Sequence, residues 1–109
     1  MTREEILAKI EGTGIRMEKD FAVPINGDPL DLPYQIVRTK ETVTGSDNGN
    51  VNVVKIDWAV ALFVTDRDTL LEAKILKALQ GVGKVEVIPY PDGTPYSTHF
   101  KFTTNQILR

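Results

Sequence analysis

The steadiest alternation in the chain runs from Val51 to Thr65, VNVVKIDWAVALFVT, where Val54, Ile56, Trp58, Val60, Leu62 and Val64 occupy every second position. Strand side chains alternate between two faces, so this spacing predicts a long β-strand with one apolar face. Lys55 and Asp57 begin the other face as polar, but Ala59, Ala61 and Phe63 make it apolar further along. Two apolar faces at one end call for cover on both sides, by a helix on one and a subunit on the other. A second β pattern starts at Tyr34. Asn48-Gly49 between the two runs is a strong hairpin signal, because a type I′ turn needs positive φ at both central residues. Counting outward sets Asp47 against Asn50, Val43 against Val54, Lys40 against Asp57 and Val37 against Val60. The same count sets Glu41 against Ile56, a mismatch in an otherwise sensible series of cross-strand pairs.

Helical spacing occurs twice. Thr2 and Glu5 fit a capping box, and Ile6, Leu7 and Ile10 follow at helical intervals, which predicts a helix over about residues 3–12 closed by left-handed Gly12 and Gly14. Asp66 and Asp68 are candidate caps for a second helix over about 68–80, with Leu71, Ile75, Ala78 and Leu79 as its stripe and Gly81 and Gly83 closing it. A strand over 84–90, the turn Pro91-Asp92-Gly93 and a last strand from Tyr96 to about Gln106 complete the chain. Residues 13–33, broken by Pro24, Gly27, Pro29 and Pro33, read either as a connector with one short strand near 17–23 or as an arm that reaches a neighbour. The expected fold is α+β: a single domain over residues 1–109, a mainly antiparallel sheet of two β-hairpins, and two helices packed on one face, in the order α-β-β-α-β-β. Trp58, Leu62 and Ile75 are the expected core.

Composition removes several kinds of chemistry. The 109 residues include no cysteine and one histidine, which excludes disulfides and thiolate chemistry and argues against zinc. Thirteen basic and 15 acidic residues give a net charge of −2, with none of the basic runs that hold nucleic acid. The start MTREEILAKI carries glutamates where a secretion signal carries positive charge, and no apolar run approaches a membrane span. His99 has no marked nucleophile or orienting partner and reads as a surface or interface histidine. Asp66-Arg67-Asp68 resembles a metal-binding pair but stands before a helix, where capping explains it. Gly12-Thr13-Gly14 lacks the preceding strand of a dinucleotide site, and residues 46–50 lack the spacing and terminal glutamate of a calcium loop. Arg38, Lys40 and Lys55 make a modest basic patch interrupted by Glu41 and Asp57, as on a solvated mixed-charge face. No catalytic residue, metal or cofactor is expected.

The opening MTREEILAKIEGTGI, the stretch Pro33-Tyr34-Gln35-Ile36-Val37 and the block KIDWAVALFVTDRDTLLEAKILKAL (55–79) resemble the small tail-terminator (tail-completion) proteins encoded in the head–tail joining region of siphophages and prophages. The resemblance follows most of the chain in order of elements, including the Val64-Thr65-Asp66 step before a helix. It departs in the loop at 18–33, which is longer and less acidic, and in a C-terminus without an acidic, tyrosine-rich ending. It implies a non-enzymatic structural protein that forms a ring, commonly of six copies, on the last ring of the tail tube and meets the head connector. Implied partners are therefore the chain itself, the tail tube protein and the connector protein, with a place in the virion neck and in the host cytoplasm during assembly. Sequence-specific nucleic-acid binding and membrane attachment are not expected. The hairpin tip (Thr44, Asp47, Asn48, Gly49, Asn50) and the pair Lys40 and Asp57 are the candidate interface residues. Another neck protein, or a small monomeric ligand-binding domain, is the alternative.

Overall fold

The computed structural model describes residues 2–19, 32–45, 52–93 and 95–108. Helix α1 spans Arg3–Glu11 and β1 spans Arg16–Lys19, followed by β2 (Tyr34–Gly45), β3 (Asn52–Val64), α2 (Thr69–Ala78), β4 (Glu86–Tyr90) and β5 (Tyr96–Leu108). They form an α+β unit with one sheet, in the strand order β1-β2-β3-β5-β4. The expected order therefore needs one correction. A further strand, β1, lies inside the irregular stretch and runs parallel to β2, with Arg16 beside Tyr34 and Lys19 beside Val37. A parallel neighbour leaves no turn signal, because its connection must cross over rather than reverse.

The hairpin register is the one counted from Asn48-Gly49, with Lys40 opposite Asp57, Val43 opposite Val54 and Glu41 opposite Ile56. The turn residues themselves lie outside the described residues. The Glu41 mismatch has a physical resolution: Arg3, at the start of α1, forms an ion pair with the Glu41 carboxylate at the rim of the core. The charge is thus never buried beside Ile56. On its other side β3 is antiparallel to β5 from Asn52 opposite Leu108 to Val64 opposite Tyr96, so the two hairpins join through their second strands.

Both helices lie on one face of the sheet. The first is placed by Gln35, a fully buried residue whose amide Nε2 lies 3.3 Å from Ile10 O, 3.2 Å from Ile15 O and 3.1 Å from Thr13 Oγ1. The second is placed by Glu72, which accepts from Thr98 Oγ1 at 3.4 Å and from Arg67 Nε at 3.2 Å. Gln35 and Thr98 both flank Leu62, so they point to the same side of the sheet. Ile6, Ile10, Ile75 and Leu79 pack there on Val60, Leu62 and Phe100, while Trp58 stacks on Phe102 at 5.5 Å and donates from Nε1 to Thr104 Oγ1 at 2.9 Å. Trp58, Leu62 and Ile75 are all buried, as their spacing predicted.

The helix ends follow the sequence closely. Thr2 and Glu5 form a complete capping box, and Asp68 accepts from the amides of Leu70 and Leu71. Gly81 and Gly83 adopt positive φ after α2, but Gly12 stays right-handed at φ −64° and only Gly14, at 79°, reverses the chain after α1.

Replacing Gln35 with leucine keeps most of its volume but removes the donor shared by two buried carbonyls. The expected cost is about 1–3 kcal/mol, read as a lower urea midpoint at unchanged slope. Trp58→Ala is expected to cost about 3–5 kcal/mol in the same measurement, because it empties the largest packed volume of the core.

Candidate interaction surface

Register decides what the other face of the sheet displays, since residues opposite one another share a face. Tyr34, Phe63, Ser97 and Tyr90 form one row across the sheet, and Ile36, Ala61, His99 and Ile88 form the next. Both helices are on the opposite side, and no helix covers these rows among the described residues. The rings make a connected group. Tyr34 stacks on Phe63 at 5.0 Å, Phe63 meets the edge of His99 at 6.5 Å, and His99 meets Tyr90 at 4.5 Å. Such offset and edge-on contacts suit rings whose faces are negative and whose edges are positive. Tyr90 remains 43% exposed, so the group reaches the surface.

The character changes abruptly in the following rows. Arg38, Ala59, Lys101 and Glu86 come next, then Lys40, Asp57 and Thr103, then Thr42, Lys55 and Asn105. Ala59 is small and stands between two long cationic side chains, which opens a groove of about 690 Å³ with Arg38, Lys40, Lys84 and Lys101 among its walls. Asp57 does not pair with the lysine opposite; its Oδ1 accepts from Thr103 Oγ1 at 2.9 Å. The face is therefore apolar and aromatic at one end and predominantly cationic along the projecting ribbon.

His99 sits at the boundary. Burial among the rings pushes its pKa below the ordinary value of 6.5, and the positive charges of Lys101 and Arg38 push the same way. It is neutral near pH 7, which suits an imidazole edge packed between aromatic rings. No group of three His, Cys, Asp or Glu side chains placed to hold a metal occurs among the described residues.

The structure brings some of the candidate interface residues together and leaves others apart. Lys40 and Asp57 are opposite neighbours on the groove wall, and Thr44 pairs with Val53 in the backbone ladder nearer the tip. Asp47, Asn48, Gly49 and Asn50 lie outside the described residues. Tyr34, Phe63, Tyr90 and His99 were not singled out together by the sequence reading. The apolar run Ala59, Ala61 and Phe63 marked this end of β3 as unusual, but its neighbours come from β2, β4 and β5, and only the β3–β5 pairing assembles them.

The His99 imidazole is expected to titrate with a midpoint below 6.5 in an NMR pH series. Between that midpoint and 6.5 the unfolded chain binds a proton that the folded chain does not, so this contribution to stability is complete above 6.5 and is lost as pH falls through the folded midpoint. His99→Gln is expected to flatten the stability-versus-pH curve in that window.

No protein-family model matches the chain, and no curated protein matches it.

Proposed function

We propose that this protein is a non-catalytic assembly component of the tail-terminator kind, which forms a ring with copies of itself, caps a phage tail tube and meets the head connector. The observation that carries the reading is the two-sided sheet. One face takes both helices, while the other presents a connected aromatic group beside a charged, projecting ribbon. A surface that places buried-type side chains next to a polar border has the make-up of an association patch: aromatic anchors surrounded by charges. A ring needs two different patches on every subunit, and the helix side and the sheet side differ in this way.

The charge pattern limits how such a ring is oriented. The ribbon carries Arg38, Lys40, Lys55 and Lys101 against Asp57 and Glu86. A lumen that passes DNA must not hold phosphates, because a row of cations would retain them. The sheet face is therefore directed at a subunit or at the tube, and the channel is lined by other parts of the surface.

A second reading has its own observation. The groove between Arg38 and Lys101 is large enough for a small anion, which fits a monomeric ligand-binding domain.

Light scattering behind a sizing column, with the protein alone and mixed with purified tail tubes, separates the readings. The expected outcome is a ring of about six copies, or a monomer that joins tube ends and stops their growth. A monomer indifferent to tubes, with a small anion bound in the groove, would replace this reading with the second. Binding to capsids instead of tubes would assign the protein to another position in the neck.

A further inference from the structure

The groove on the sheet face is enclosed from three directions. Ala59 leaves a gap over β3, with Lys101 beside it on β5 and Lys40 one row along on β2. The third side is Val82, Gly83 and Lys84, from the segment that leaves α2 for β4. Lys40, Lys84 and Lys101 are all exposed, and none of the three has an ion-pair partner among the described residues. Three ammonium groups from three separate segments therefore border one space of about 690 Å³.

The main chain contributes as well. Gly83 has φ +105°, a conformation that favours glycine, and a Cβ built there would meet nothing within 4 Å. Open space thus comes up to the backbone at this wall. The Val82 N–H donates to Leu79 O at 3.3 Å, whereas those of Gly83 and Lys84 have no acceptor among the described residues. Backbone amides beside ammonium groups in a concave wall suit an oxyanion. The donors also outnumber what the two oxygens of a carboxylate can use, while a phosphate group has three strong acceptor oxygens.

Two carboxylates stand in the same walls. Asp57 accepts from Thr103, and Glu86 lies opposite Lys101 in the β4–β5 ladder. They interrupt any continuous track of cations, so an extended nucleic-acid backbone is disfavoured and a compact anion over Ala59 is not.

We propose that this groove holds the phosphate dianion of a small phosphorylated molecule, with Lys40, Lys84 and Lys101 as its charge partners. The inference deepens the small-anion reading of the groove and does not depend on ring formation.

Inorganic phosphate is titrated into the whole labelled chain at neutral pH and constant ionic strength, with amide NMR shifts as the readout. One phosphate per chain is expected to saturate in the millimolar range or tighter, moving the amides of Ala59, Gly83 and Lys84. Lys84→Gln combined with Lys101→Gln is expected to weaken binding about 5- to 20-fold, since each exposed ionic contact is worth roughly a factor of two to five. Lys74→Gln combined with Lys77→Gln removes the same charge from the groove between the helices and is expected to leave binding within about twofold. Trp58 fluorescence verifies that both double variants are folded. An equal loss in the two double variants would mean charge attraction without a site and would overturn the proposal, as would shifts that never saturate. Succinate binding as tightly as phosphate would overturn it in favour of a carboxylate-bearing partner, and a single-stranded oligonucleotide binding more tightly would do so in favour of nucleic acid. A ring by light scattering whose groove takes no phosphate overturns this inference and leaves the assembly reading standing. A monomer indifferent to tail tubes that takes one phosphate per chain supports it and removes the assembly reading.

Discussion

Strand β3 is hydrogen-bonded along its whole length to two antiparallel partners, and its side chains alternate between a closed core and a face that no described helix covers. A slip of one residue on either side would exchange those faces, sending Trp58, Val60 and Leu62 outward and drawing Lys55 and Asp57 inward. Burial of Trp58, Val60, Leu62, Phe100 and Phe102 on one side therefore locks the register of three strands together. Everything at the surface inherits that register. The aromatic rows and the cationic groove exist only because β2 and β5 stand at fixed offsets from β3.

The helices are held by polar contacts as well as by apolar packing. Gln35 is buried at the junction of α1, β1 and β2, where its amide faces two carbonyls and a hydroxyl, while its own Oε1 has no partner. An unpaired buried acceptor costs about 1–3 kcal/mol, and against it the amide supplies a donor to the Ile15 carbonyl and adds to the Thr13 N and Oγ1 donors at the Ile10 carbonyl. The arrangement is favourable because one side chain serves three acceptors where the chain leaves the helix and enters a strand. Glu72 acts similarly at α2, joining Arg67 and Thr98 across the helix–sheet seam. Two polar anchors thus set where the helices sit, and the isoleucines and leucines of α1 and α2 fill the space between.

With the core closed on one side, the opposite face carries the aromatic rows and the cationic groove. Its aromatic end keeps His99 neutral through burial and neighbouring positive charge, and its ribbon end extends beyond the short outer strands. The side chains of that face are held in place by the pairing of β2, β3 and β5.

By itself the sequence determined what depends on near neighbours. Alternation marked β3 and its buried face, and the count from Asn48-Gly49 set Lys40 against Asp57. Thr2 with Glu5 and Asp68 with its following amides specified where the helices begin. These are local matters, settled by side-chain period and by backbone groups within a few residues. The tertiary structure decided what depends on distant segments: the parallel pairing of β1, the union of the hairpins through β3 and β5, and the Arg3–Glu41 pair that resolves the one mismatched position. It also decided that Gln35, which looks in sequence like a polar residue on a strand, is a buried anchor. Residues such as Tyr34, Phe63, Tyr90 and His99 carry no common signal along the chain, because they belong to different strands. They become a surface only when the sheet order sets those strands side by side.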